Sequence, residues 1–297
     1  MSGGPGIDSL TRTFRKIPCP LCESTNPEGA PCVRCFAPAE VIHSILSRKK
    51  APRFIGVLGP SGVGKTVYLG MLLDLLSRGA GGMHGVARGT FSLALHRNLV
   101  LALERQRFPA KTPNEADRWQ WVHCEINNGK RGAFDVVTPD VAGEAVASEL
   151  SNPGTNATVQ VLIRKCSGLV VLVDLPQVVA SGQGQELFAM QLVSYLSTFK
   201  TIFRRRRKVE TPIAFVFTKT DLCDDPIDDP AAFARDNVPG LWRLCEFSLQ
   251  TYQFFTSAVA GSAAMVIDGE GQESMIPLRV EPHGVIEPFA WLVSKCR

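Results

Sequence analysis

The stretch FIGVLGPSGVGKT, residues 54–66, carries two structural signals in succession. Phe54 to Leu58 form a short apolar run of the kind that makes a buried strand. Gly59-Pro60-Ser61-Gly62-Val63-Gly64-Lys65-Thr66 then matches the spacing G-x-x-x-x-G-K-S/T. Past it, Val67, Leu69, Met71, Leu72, Leu75 and Leu76 make the broad apolar stripe of a helix laid against a sheet. A glycine-rich loop between strand and helix can turn successive backbone N–H groups toward one anion, which residues with a Cβ do less cheaply. The positive end of the helix dipole adds to the attraction. Lys65 can reach the β- and γ-phosphates of a nucleotide, and the Thr66 hydroxyl can ligate Mg²⁺. The expected ligand is a nucleoside phosphate held by Gly59, Pro60, Ser61, Gly62, Val63, Gly64, Lys65, Thr66 and Val67.

Around this loop the chain has the length for one large α/β domain and a small appendage, 297 residues in all. A 45% hydrophobic and 20% charged composition is that of an ordinary globular protein. The net charge of +4 does not by itself point to nucleic acid. No apolar run approaches the roughly 20 residues needed to cross a bilayer. The opening MSGGPGIDSLTRTF lacks an apolar signal core, so a cytoplasmic protein is expected. Of nine cysteines, four form two C-x-x-C pairs, Cys19/Cys22 and Cys32/Cys35, and five stand alone. Two such knuckles can set four thiolates tetrahedrally around a structural Zn²⁺, whose ligation would supply the folding energy of a module with almost no core. A redox dithiol is the weaker alternative, because it needs no second pair.

Three parts are expected: a flexible start at 1–14, a zinc module with a short helix at 15–50, and an α/β domain at 51–297. Within the last, residues 79–112 read as a helical insertion, with one helix over 91–108. Strands are expected at 119–126 and 133–139 around a turn at Asn127-Asn128-Gly129-Lys130. The runs GLVVLVD (168–174) and PIAFVFT (212–218) read as fully buried parallel strands, and Tyr252–Ser257 as a last strand. Helices are expected at 155–166, 185–203 and 285–296. The alternation implies a mainly parallel sheet covered by helices on both faces. The run Arg204–Lys208 reads as a solvated helix end, with peripheral contact to an anionic membrane or protein surface as the alternative.

Three later stretches separate GTP from ATP. With GPSGVGKT, the segments DVAGE (140–144), TKTD (218–221) and TSA (256–258) stand in order, each at a strand end. Together they resemble the motifs of the Ras-like (TRAFAC-class) P-loop small GTPases over residues 53–297. That resemblance implies that Asp221 accepts hydrogen bonds from guanine N1–H and the exocyclic amine, beside Thr218. It also implies that Lys219 lies over the base and that Ser257–Ala258 meets O6. Asp140 would hold the Mg²⁺ shell, Gly143 N–H would meet the γ-phosphate, and Thr112 would be the switch threonine on Mg²⁺, with Thr90 as second candidate.

One departure stands out. Glu144 occupies the position after D-x-x-G where the family carries a water-orienting glutamine, which adds negative charge beside the γ-phosphate and implies slow hydrolysis. No arginine reads as a built-in finger. The insertion, the zinc knuckles and the ending VEPHGVIEPFAWLV are similar to the bacterial double-GTPase (DO-GTPase) type, which implies a protein effector or activating partner and, among such partners, a second GTPase. The expected function is a Mg²⁺-dependent GTP/GDP switch with slow GTP hydrolysis. The alternatives are a GTP-bound scaffold with negligible hydrolysis and, less favoured, a P-loop ATPase acting on nucleic acid.

Overall fold

A computed structural model describes residues 15–48, 52–127, 133–181, 183–199, 208–223, 225–267 and 273–296. The expectations for 1–14, for the turn residues 128–130 and for Arg204–Arg207 lie outside these residues; Lys208 donates to the Glu246 carbonyl at 2.6 Å. The strands are β1 Lys16–Pro18, β2 Thr25–Pro27, β3 Arg53–Leu58, β4 His84–Arg88, β5 Trp121–Asn127, β6 Ala133–Pro139, β7 Gly168–Asp174, β8 Ile213–Thr218, β9 Tyr252–Ile267 and β10 Glu273–His283. The helices are α1 Ala39–Leu46, α2 Lys65–Ser77, α3 Gly89–Glu104, α4 Gly143–Ser151, α5 Ala157–Lys165, α6 Leu175–Ser181, α7 Gln183–Thr198, α8 Pro230–Asn237, α9 Pro239–Ser248 and α10 Ile286–Lys295. Among the described residues no helix is long and apolar enough to cross a membrane.

Strands β3 to β10 make one sheet in the order β10-β9-β8-β7-β3-β6-β5-β4. The five strands β9, β8, β7, β3 and β6 run parallel, while β5, β4 and β10 each pair antiparallel with a neighbour. Every residue of β7 and β8 is buried, because helices cover both faces. Alternate side chains then feed two cores, as the period of two demands. Leu169, Val171, Val173, Phe215 and Phe217 join Leu162, Leu192 and Leu196 on one face. Val170, Leu172, Ala214 and Val216 join Leu69, Leu72, Leu99 and Leu292 on the other. Truncating any of these large side chains to alanine removes about 2–5 kcal/mol.

The expected strands at 133–139 and 168–174 form as read, the closing helix spans Ile286–Lys295, and the helix expected over 91–108 ends at Glu104; two further regions differ. Residues 84–88 form an edge strand paired with β5, not part of a purely helical insertion, and α3 starts directly after it. His84-Gly85-Val86-Ala87-Arg88 has no apolar alternation, since as an edge strand it buries only Gly85 and leaves Val86 exposed. The strand expected to end at Ser257 continues to Ile267 as one arm of a hairpin with β10. The small residues Gly261-Ser262-Ala263-Ala264 have little intrinsic strand preference, and the ladder to β10 holds them extended.

The N-terminal segment packs onto this frame. The short ribbon β1–β2 carries two cysteine turns, and Leu21 joins the core of α5 and α7. Thr158 donates to the Arg34 carbonyl at 3.2 Å, and Lys165 pairs with Glu23. At the other end of α1, Arg48 grips Asp135 of β6 through two bonds of 2.8 and 3.0 Å, and Asp135 meets buried His123 at 3.0 Å. Glu40 of α1 accepts from both the N–H and the hydroxyl of Thr90, so an α1 side chain holds the first turn of α3.

Candidate functional site

The phosphate-loop motif leaves β3 at Leu58 and enters α2 at Lys65. Gly62 and Gly64 sit at φ +76° and +96°, backbone that side chains with a Cβ rarely adopt, so the two glycines create the inward turn. The Lys65 ammonium bridges the loop, donating to the Gly59 and Pro60 carbonyls at 3.0 and 2.8 Å. Burial holds its pKa down to about 8; Asp140 and Glu144 pull it up, and Lys111 pushes it lower. Two anions and a second cation therefore surround the loop.

The loop floors a cleft of about 430 Å³, within the range of small-molecule sites. Ser61–Tyr68 line one side, and Phe108–Thr112, Gly143, Glu144, Thr218, Lys219, Asp221 and Ser257–Ala260 line the rest. At its foot the Thr66 and Thr112 hydroxyls lie 2.8 Å apart, and each donates to Asp140 Oδ2, at 2.8 and 2.9 Å. The other carboxylate oxygen, Oδ1, is buried with no hydrogen-bond partner among the described residues. Burial raises the Asp140 pKa, opposed by the two hydroxyls and Lys65. Two hydroxyls and an orphaned buried carboxylate oxygen form the hard-oxygen set that suits Mg²⁺. Thr112 thus stands in this cluster, whereas Thr90, the second candidate, is spent on Glu40.

Gly143 opens α4 pressed against the loop. A Cβ there would lie 2.4 Å from Ser61 N and 2.5 Å from the Pro60 carbonyl carbon, so only glycine allows this approach. Gly143→Ala is expected to lower stability by about 1–3 kcal/mol through overpacking, read as a fall in the thermal midpoint. An unchanged midpoint would show that the loops part freely. Glu144, next in the chain, points at Lys111 and pairs with it. That contact, with help from the Ser61 hydroxyl, holds its carboxyl down to about 2.

At the far end of the cleft, the Thr218 hydroxyl lies 3.0 Å from the Val63 carbonyl and 3.2 Å from that of Val173, tying the TKTD segment to the phosphate loop. Lys219 takes a left-handed φ of +62° and pairs with buried Asp174 at the end of β7. Asp174 is itself held by Gln185, which accepts from its N–H at 3.1 Å. Asp221 follows in a 3₁₀ turn over Thr220–Leu222; burial raises its pKa, opposed by His283 and Lys219. Ser257 and Ala258 are buried within β9, beside the end of β8. The sequence reading did not single out Lys111, Asp174, Ala263 or Met275, the last two of which reach the cleft from the β9–β10 hairpin. A lysine just before Thr112 and an aspartate ending an apolar strand were the available signals.

The second site is the cysteine cluster. The Sγ atoms of Cys19, Cys22, Cys32 and Cys35 all lie within 4.8 Å of one another and are buried. Cys19–Cys35 and Cys22–Cys32 are separated by 3.6 and 3.4 Å, close to the ~3.8 Å edge of a tetrahedron with 2.3 Å zinc–sulfur bonds. Cys32 Sγ accepts from the N–H groups of Arg34 and Cys35, both at 3.4 Å. The hydrogen bond with Cys35 brings Cys19 down to about 5 and pushes Cys35 up. The donor set fits Zn²⁺. His43 is exposed and outside the cluster.

Among solved structures, the chain is similar to the Arl6 BBS3 small GTPase of Trypanosoma brucei with a bound GppNp analogue, at 13% identity over 83% of this chain and 98% of that one (TM-score 0.43). It is also similar to a putative nucleolar GTP-binding protein 1 of Plasmodium falciparum, at 11% identity over 84% and 89% (TM-score 0.42). The GTPase-like domain of Ski7 from S. cerevisiae matches at 12% identity over 85% and 52% (TM-score 0.41). No curated protein sequence matches the chain. The family model described as Double-GTPase 2 matches residues 53–277, and the chain belongs to that family.

Proposed function

We propose that this protein is a guanine-nucleotide switch that binds GTP and GDP with Mg²⁺, hydrolyses GTP slowly and reports its state to a protein partner. One observation carries the reading. The Thr66, Thr112 and Asp140 cluster closes one end of a cleft whose other end presents Asp221, Ser257 and Ala258. In this reading Gly59–Val67 cradle the phosphates, and Lys65 exchanges its loop carbonyls for β- and γ-phosphate oxygens. Thr66, Thr112 and Asp140 would hold Mg²⁺, whose charge would offset that developing on the phosphates. Gly143 N–H meets the γ-phosphate. Asp221 reads the guanine edge, Lys219 covers the ring, and Ser257–Ala258 meets O6. Loss of the γ-phosphate then frees the segments around Thr112 and Gly143, an order–disorder change that a partner can sense. The family supports a second GTPase as that partner, and the four cysteines hold a structural Zn²⁺.

A scaffold that barely hydrolyses GTP is the second reading. Glu144 favours it, because its carboxylate is held by Lys111 and stands where a water would be oriented. A single-turnover assay with radiolabelled GTP and Mg²⁺ separates the two. The switch reading expects a rate well under about one per minute but measurable, lost in Lys65→Ala and on chelation of Mg²⁺. Hydrolysis no faster than in Lys65→Ala would leave the scaffold.

A further inference from the structure

Lys111 belongs to none of the sequence motifs, yet it stands in the cleft. It immediately precedes Thr112, whose hydroxyl is fixed at the Asp140 cluster, and its ammonium crosses to Glu144, the residue after Gly143. The ion pair therefore spans the two segments that flank the phosphate loop. Packing does not lock it: the Lys111 side chain is 64% exposed and that of Glu144 36%. Its charge is felt at the Lys65 ammonium, which places it in the same field as the loop lysine.

The charges around the loop explain what such a cation could do. Glu144 in the usual glutamine position sets a carboxylate beside the place a terminal phosphate would occupy. Left alone, the two anions would repel each other. A lysine already on that carboxylate, and long enough to swing, removes the conflict. A half-exposed ion pair is worth little in water, whereas a phosphate offers greater charge and several acceptor oxygens. The exchange of partners therefore runs toward the phosphate.

We propose that Lys111 is a terminal-phosphate-binding residue that leaves Glu144 for the γ-phosphate when a nucleoside triphosphate binds. The proposal rests on reading the cleft as a guanine-nucleotide site, and it gives that site a cation of its own. Transfer would also release the Glu144 carboxylate, so one ammonium couples the two segments to the identity of the nucleotide.

The test compares affinities for GDP and for a non-hydrolysable GTP analogue in the full-length protein with Mg²⁺. Lys111→Ala is expected to weaken the analogue about tenfold or more, the loss of a charge-assisted hydrogen bond, and to change GDP affinity by less than about twofold. Lys111→Arg restores the analogue. Equal weakening of both nucleotides, or of neither, in a wild-type background that binds both, overturns the role of Lys111 alone. Wild-type protein that binds neither guanine nucleotide overturns the site reading and this proposal with it.

Discussion

Asp221→Asn is expected to turn the cleft from guanine to xanthine nucleotides, with the ratio of their affinities moving by about 10⁴. A carboxylate only accepts hydrogen bonds, so it suits the guanine edge, which presents N1–H and an amine, both donors. An asparagine amide presents one acceptor and one donor, which suits the N1–H and 2-oxo group of xanthine instead. Half-burial of Asp221 makes the mismatch costly, because an unpaired group there is only partly repaired by water. The backbone should tolerate the change. The Thr218 tie to Val63 does not use the Asp221 side chain. Competition of GDP and xanthosine diphosphate against a fluorescent nucleotide measures the ratio. A variant that still prefers GDP would show that Asp221 does not read the base.

The second large effect is at the cysteines. Cys32→Ser with Cys35→Ser is expected to abolish zinc binding, which should measure about one equivalent in the wild-type protein. Structural zinc contributes on the order of 10 kcal/mol to the folding of small modules, far more than the ribbon β1–β2 supplies. Residues 16–46 should then lose amide protection. The loss should spread, because α1 caps α3 through Glu40 and holds β6 through Arg48. Metal analysis and hydrogen exchange on the purified variant check both points. Zinc retained at the wild-type stoichiometry would remove the site.

Much of this architecture is legible in residue order because its signals are local. GLVVLVD could only be a strand buried on both faces, and β7 spans those residues. GPSGVGKT encodes its own turn through Gly62 and Gly64. Three of the motifs follow the ends of β3, β6 and β8 and the fourth lies in β9 beside the end of β8, so they converge on one cleft because parallel strands bring their C-terminal ends to the same edge. What could not be read depends on partners far along the chain. Edge strand β4 has no apolar pattern and exists through its ladder to β5. The hairpin beyond Ser257 is extended because β10 pairs with it. The Lys111–Glu144 and Lys219–Asp174 pairs join residues whose nearness only the folded sheet creates. Thr112 was separable from Thr90 only by geometry, once Thr90 was seen to be held by Glu40.

The most direct measurement is a titration of GTP, GDP and ATP against the full-length protein with Mg²⁺, followed by fluorescence of a ribose-labelled nucleotide. A cleft that ends in Asp221 predicts GTP and GDP binding about 10³–10⁴-fold tighter than ATP, since adenine leaves the carboxylate facing an acceptor. ATP binding as tight as GTP, or no nucleotide binding at all, would contradict it.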